Sequence, residues 1–272
     1  METISILGCG WLGFPLAKSL LKKGFEVKGS TTTLEKISKL KANGIQPSIV
    51  NLSAVEGQNN ENEINTFLQN AEVLIINIPP KLRGNSNENF VQKIKNLIPF
   101  IEKSPVEKVI FVSSTSVYSD DTAINLITEE TIPKPDTESG KQLLETEILL
   151  QNNPNFKTTI IRFGGLIGED RHPIVFLAGR KNIENPEAAI NLIHLDDCIG
   201  IIKKIIEKNF FDQTINAVAP FHPTRKDYYQ QKAKELQLPL PEFEEGKKSI
   251  GKIISSEKVE TVLEYTFKKP QL

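Results

Sequence analysis

Residues 4–13 read Ile4-Ser5-Ile6-Leu7-Gly8-Cys9-Gly10-Trp11-Leu12-Gly13, a short apolar run followed at once by three spaced glycines. The β-branched run Ile4 to Leu7 predicts a strand. Leu12, Leu16 and Leu20 recur every four residues and predict a helix with one apolar stripe. Between strand and helix, each glycine of the G-x-G-x-x-G spacing has its own task. Gly8 allows the tight turn, Gly10 lets a pyrophosphate approach the backbone, and Gly13 lets helix and strand pack closely. The helix start then offers unpaired N–H groups and a positive dipole end to phosphates. Pro15 falls in the first turns, where a missing amide costs least. A glycine-rich turn can also serve packing alone, but here the required strand precedes it and the helix follows. The expected ligand is a dinucleotide, contacted by Gly8, Cys9, Gly10, Trp11, Leu12 and Gly13.

The same rhythm continues outward. Val73 to Ile76, Val109 to Val112 and Thr158 to Ile161 are short and apolar, as strands covered on both faces are. Further strands are expected near Phe25 to Ser30 and Ile45 to Val50. Helical stripes such as Leu144 and Ile148 lie between. The alternation predicts an α/β fold, a doubly wound parallel sheet of Rossmann type. Beyond about Gly164, glycine and proline interrupt the pattern. A strand-like piece, Ala189 to Ile193, precedes a helix from Leu195 to Ile206, and Thr214 to Val218 follows as a strand. Two helical patterns, Lys226 to Leu236 and Ser255 to Leu263, close the chain. Residues 1–165 and 190–218 are therefore expected to form the dinucleotide-binding domain. Residues 166–189 and 219–272 are expected to form a small substrate-side α/β lobe. The asparagine-rich patch Gly57 to Glu63 reads as a surface loop before a short helix.

Bulk properties narrow the partners. The 272 residues suit one large domain or one domain with a small companion. Thirty-three Lys plus Arg against 34 Asp plus Glu leave a net charge of −1, which argues against a nucleic-acid backbone as partner. Two distant cysteines, Cys9 and Cys198, set no disulfide framework and no metal spacing. No apolar run reaches the roughly 18 residues of a membrane span, and no basic region precedes an apolar one at the start. The expectation is a cytoplasmic protein acting on a small molecule, without metal, membrane or nucleic acid.

Which dinucleotide is bound turns on the residues about 20 past the glycine loop. An NAD-selective site places an acid there to hold the ribose hydroxyls. Here the stretch is Lys28-Gly29-Ser30-Thr31-Thr32-Thr33, with no acid before Glu35. Ser30, Thr31 and Thr32, with Lys28 and Lys36 nearby, would accept a 2′-phosphate, so the cofactor is read as NAD(P) with a lean to NADP. The alternative is that these hydroxyls only cap the next helix. Asn77-Ile78-Pro79-Pro80 closes a strand where cofactor loops lie, placing Asn77 and Pro79 beside the dinucleotide or merely in a rigid turn.

Phe111-Val112-Ser113-Ser114-Thr115-Ser116-Val117-Tyr118, Arg162-Phe163-Gly164-Gly165 and Ile193-His194-Leu195-Asp196-Asp197 together resemble the extended short-chain dehydrogenase/reductases. That family includes sugar-nucleotide epimerases and dehydratases. With the glycine loop, the similarity covers most of residues 1–220 and is closest to an atypical branch. It implies a Ser or Thr acting with a Tyr-x-x-x-Lys pair, in which the lysine holds the ribose and lowers the phenol pKa for proton exchange. The implied catalytic residues are Ser114 and Lys141, Lys141 also gripping the cofactor. Four residues before Lys141 stands Thr137, whose hydroxyl is too weak an acid and too short to replace tyrosine. Tyr118, His194 and His172 are the other candidates for moving a proton, each with a structural alternative. Arg171 and His172 read either as contacts for an anionic substrate or as solvated loop residues. Tyr228 and Tyr229 read as packing residues. Two functions follow: an NAD(P)-dependent oxidoreductase, epimerase or dehydratase, or a cofactor-binding sensor or scaffold that has lost the tyrosine. No P-loop, H-E-x-x-H or nucleophile elbow competes.

Overall fold

The computed structural model describes residues 2–80 and 89–272. The chain opens with β1 (Thr3–Leu7), α1 (Gly13–Leu21), β2 (Glu26–Thr31), α2 (Glu35–Ala42), β3 (Gln46–Ile49) and α3 (Glu61–Leu68). Next come β4 (Val73–Ile76), α4 (Phe90–Glu102), β5 (Lys108–Ser114), β6 (Leu126–Ile127), α5 (Glu138–Gln151) and β7 (Lys157–Phe163). The remainder is β8 (Gly165–Ile167), α6 (Ile174–Leu177), β9 (Leu192–His194), α7 (Leu195–Glu207), β10 (Thr214–Ala217), α8 (Arg225–Glu235), β11 (Ile253–Ile254) and α9 (Glu257–Thr261).

Seven strands form one parallel sheet in the order β10-β7-β5-β4-β1-β2-β3. The order reverses between β1 and β4, which opens a crevice outside their carboxyl ends. Side chains alternate along each strand, so two cores form. Ile4, Ile6, Val73, Ile75 and Ile110 pack on one face with Leu12, Leu16 and Leu20 of the first helical stripe and with α7. Leu7, Leu74, Ile76, Val109 and Phe111 pack on the other with α3, α4 and α5. Full burial of each such side chain contributes about 1.5–3 kcal/mol, and β1 and β4 are buried along their whole length, which explains their unbroken apolar runs.

A third, smaller cluster joins Ile167, Ile174, Ile190 and Leu192 to Tyr228, Tyr229 and Ala233. The strand expected at Ala189 to Ile193 is displaced: β9 is Leu192–His194 and pairs with β8 outside the main sheet. Ala189 makes only a single bridge to Thr224. One long helix, α4, has no counterpart in the sequence reading. Its apolar positions 90, 91, 94, 97, 98 and 101 are helically spaced, but Pro99 sits within it.

Candidate functional site

The glycine loop occupies the crevice at the end of β1. Gly8 has φ +103°, and a side chain on it would come 2.7 Å from the Asn77 carbonyl oxygen; a Cβ on Gly13 would lie 2.1 Å from the Gly8 carbonyl oxygen. Both positions therefore exclude any other residue. Three bonds brace the loop: the Gly8 amide donates to Ser30 Oγ at 2.9 Å, the Cys9 amide to the Ser30 carbonyl at 2.8 Å, and Asn77 Nδ2 to the Gly8 carbonyl at 3.0 Å. Among the described residues, the amides of Gly10, Trp11 and Leu12 have no such partner. They lie at the start of α1, whose N-cap, Leu12, offers no side-chain cap. Space above Gly10 is open to 4 Å. Three bare amides at a positive dipole end, with open space over Gly10, fit a diphosphate.

A cavity of about 400 Å³ runs from this loop across the ends of β2, β3 and β4. Its walls include Gly8, Cys9, Gly10, Ser30, Thr31, Thr32, Asn77 and Pro79, so eight of the expected cofactor contacts meet in one place. Lys36 and Lys93 also line it, and among the described residues no carboxylate does. Val50, Asn51 and Leu52 beyond β3, and Phe90 and Lys93 from α4, complete the walls and were not singled out from the sequence. Their signal was position alone, since chain just past a parallel strand lines such crevices.

The polar residues of β2 divide their work. Ser30 holds the glycine loop, and Thr31 Oγ1 accepts from the Thr33 amide at 3.1 Å. Thr32 is the exposed one. Lys28 does not serve the cleft: its Nζ donates to the Thr66 carbonyl at 2.8 Å and the Gln69 carbonyl at 2.6 Å, closing the C-terminal end of α3. Burial there pushes its ammonium pKa down. Burial likewise raises the Cys9 thiol to about 12, which disfavours the thiolate that redox chemistry needs.

The residues expected to be catalytic differ. Ser114 ends β5, and its Oγ accepts from the Ser116 amide at 3.2 Å, which leaves the hydroxyl hydrogen free to donate. The first turn of α5 lies directly against this segment, with Gly140 so close that a Cβ would reach within 2.3 Å of the Ser116 carbonyl oxygen. Thr137 is the N-cap of α5, its Oγ1 accepting from the Gly140 amide at 3.1 Å. That is the commitment expected of threonine at a helix start. Lys141 is exposed one turn further on. Neither Ser114, Lys141, Trp11, Leu12 nor Gly13 is on the cavity wall.

The other candidate proton carriers are engaged elsewhere. Tyr118 is buried, receives a hydrogen bond from Arg162 Nη1 at 2.5 Å and donates toward Asn216 Oδ1 at 3.2 Å. Burial raises its phenol, against the pull of Arg162. Arg162 in turn grips Glu147 of α5, Nη2 to Oε2 at 2.6 Å, and Ser113 Oγ donates to the same carboxylate. His194 caps α7, its Nδ1 accepting from the Asp196 amide at 3.2 Å. His172 accepts from the Ile174 amide at Nδ1 (3.1 Å), so Nε2 carries the proton and donates to the Tyr228 hydroxyl at 2.8 Å. A larger hollow of about 760 Å³, beside α8, shares no wall residue with the cleft.

Comparison with known proteins follows this geometry. The profile of a family described as NAD(P)H-binding matches residues 8–192. Protein YeeZ of Escherichia coli (strain K12) is 34% identical over 271 residues, covering 99% of this chain and 97% of YeeZ. Among solved structures, a protein of unknown function from Silicibacter pomeroyi DSS superposes with a TM-score of 0.79 at 19% identity, over 100% of this chain and 95% of its own. UDP-glucuronic acid 4-epimerase from Bacillus cereus, solved with NAD, gives 0.80 at 19% identity, over 100% and 92%. The expected Rossmann sheet and the likeness to extended short-chain dehydrogenases hold at the level of fold. Among the described residues no helix is long and apolar enough to cross a membrane, and no cluster of metal-ligating side chains occurs.

Proposed function

The chain belongs to the NAD(P)H-binding family, and from that premise we propose that it is an NADP-dependent oxidoreductase or epimerase of the short-chain dehydrogenase type, acting on a small carbonyl or hydroxyl compound. What supports the reading is the glycine loop and the cleft beside it: three amides without a backbone partner for a diphosphate, then Thr32 just past β2 and Lys36 of α2 on a wall that, among the described residues, carries no carboxylate to repel a 2′-phosphate. The nicotinamide, when bound, supplies or accepts a hydride. Ser114 donates its free hydroxyl hydrogen to the substrate oxygen and orients it. Lys141 is read as the ribose contact, and residues 166–189 and 219–272 as the lobe that closes over the substrate.

Fluorescence titration with NADPH, NADP⁺, NADH and NAD⁺ tests the cofactor, with NADPH expected to bind tightest. A panel of sugar nucleotides and simple carbonyl compounds, followed at the nicotinamide absorbance, tests the chemistry. Ser114→Ala is expected to keep NADPH affinity and lose about 100-fold or more in turnover. Absence of binding by all four dinucleotides would overturn the proposal.

A second reading, a cofactor-binding sensor, is favoured by a separate observation. Thr137 is spent as a cap, and three of the four tyrosine hydroxyls are bonded elsewhere: Tyr118 to Asn216, Tyr228 to His172 and Tyr265 to Asp197. The fourth, Tyr229, packs in the third apolar cluster. Tight binding without turnover across the panel selects this reading.

A further inference from the structure

The turn between β8 and α6 reaches back to the glycine loop. Two backbone bonds close it, the Gly168 amide to the Arg171 carbonyl at 2.8 Å and the Arg171 amide to the Gly168 carbonyl at 3.1 Å. Trp11 lies against it so closely that a Cβ on Gly168 would come within 2.8 Å of the indole Cζ2, and within 3.5 Å of Leu195 Cβ on the other side. Trp11 Nε1 donates to Asp170 Oδ1 at 2.8 Å, and Arg171 Cζ stands 4.9 Å from the centre of the Trp11 ring. The guanidinium is thus held over Trp11, beside the start of α1.

Arginine over an indole is favoured by the negative face of the ring, and the contact costs none of the five N–H donors. Among the described residues no carboxylate forms an ion pair with Arg171, while the neighbouring Asp170 carboxylate is turned to the indole N–H. An exposed, positioned cation at an α-helix start that already presents three bare amides matches one ligand chemistry, a phosphate or diphosphate.

Resting on the proposed cofactor, we infer that Arg171 is a ligand of the dinucleotide's diphosphate and that Trp11 is the residue presenting it. Cofactor binding then clamps the β8–α6 turn onto the glycine loop, coupling the nucleotide cleft to the chain segment that carries His172 and α6. The chemistry could equally suit a phosphate on the substrate, so the test separates the two sources.

The experiment measures affinities of the full chain, wild type, Arg171→Ala and Arg171→Lys, for four probes. NADPH and 2′-phospho-ADP-ribose carry the diphosphate; adenosine 2′,5′-bisphosphate lacks it; UDP, added to NADPH-saturated protein, stands for a substrate phosphate. Loss of one charge-assisted contact predicts that Arg171→Ala weakens the first two about tenfold or more and leaves the bisphosphate within about twofold. Arg171→Lys recovers part of the loss. A uniform loss over all four probes would signal a damaged loop and overturn the inference. So would unchanged NADPH affinity, whether or not UDP affinity falls. Failure of the wild type to bind any adenine probe instead brings down the cofactor reading itself, which sets the two failures apart.

Discussion

Glu147 and Arg162 offer the sharpest test of how the Ser114 edge of the sheet is built. Arg162 Nε lies 3.1 Å from each Glu147 oxygen and Nη2 2.6 Å from Oε2, while both residues are almost wholly buried at 6% and 1% exposure. Glu147→Leu would leave the guanidinium in the core with Tyr118 as its remaining partner. An uncompensated buried charge costs about 3–5 kcal/mol, a large share of the roughly 5–15 kcal/mol that holds a domain together. At about 2–4 °C per kcal/mol in chains near this size, the melting temperature falls by roughly 10 °C. The double variant Glu147→Leu/Arg162→Met removes both charges together and is expected to be more stable than Glu147→Leu by about 2 kcal/mol. Urea denaturation followed by circular dichroism measures all four corners of the cycle. If Glu147→Leu costs less than about 1 kcal/mol, or if the double variant loses the sum of its singles, the pair is not the coupled unit described here. Because Ser113 donates to Glu147 immediately before Ser114, turnover of the double variant also reports whether this network aims the Ser114 hydroxyl.

Three further outcomes follow from the cleft and its surroundings. On the proposed NADP reading, Lys36→Ala should weaken NADPH about tenfold and leave NADH within about twofold, as expected of a lysine that meets only the 2′-phosphate; equal loss for both would remove the basis for that reading. Lys28→Met should cost about 1–3 kcal/mol in urea, through two lost charge-assisted bonds to the α3 carbonyls, with NADPH affinity unchanged; a selective fall in NADPH affinity would return Lys28 to the cleft. His172 has a lowered pKa, from burial first and from Lys232 second, so the unfolded chain binds its proton more readily. Its contribution is present above the unfolded value near 6.5 and is lost as pH falls through the lowered folded value. His172→Gln should therefore flatten the decline in urea midpoint between about pH 7.5 and 5, and an unchanged slope would show that other groups set it.

The strand-to-helix turn was legible because its information is local. Gly8, Gly10 and Gly13 sit within six residues, flanked by a run and a stripe of unmistakable period. Strand ends were harder. β5 and β7 run on through Ser113 and Arg162 because Glu147, more than 30 residues from the first and 15 from the second, neutralises them in the core. Nothing near either residue in sequence announces that partner. Lys28 shows the same limit at the cleft. It shares a strand face with Ser30 but stands three residues, roughly 10 Å, back from the strand's carboxyl end, and only the position of α3 decides what it meets. Lys93 and Phe90 were hidden because Pro99 interrupts the stripe of α4, although it falls in the last turns of a helix already well anchored.

The two halves of the site were therefore built under different demands. On the cofactor side the residues fit the proposed ligand: bare amides, loop-bracing Ser30 and Asn77, and Lys36 on a wall with no carboxylate among the described residues. On the proton side the explanation runs through stability instead. Thr137 stands where the family's phenol would be because it caps a 14-residue helix, an interaction worth about 1 kcal/mol that tyrosine cannot make with the Gly140 amide. Gly140 lies hard against the Ser116 carbonyl, so that cap also fixes the distance between α5 and the Ser114 segment. Thr137 thus holds the reacting edge in place without itself delivering a proton. On the proposed function Ser114 only orients the substrate oxygen, and the proton comes from solvent or from the substrate itself. That requirement favours a small carbonyl compound whose oxygen water can still reach beneath the proposed substrate lobe.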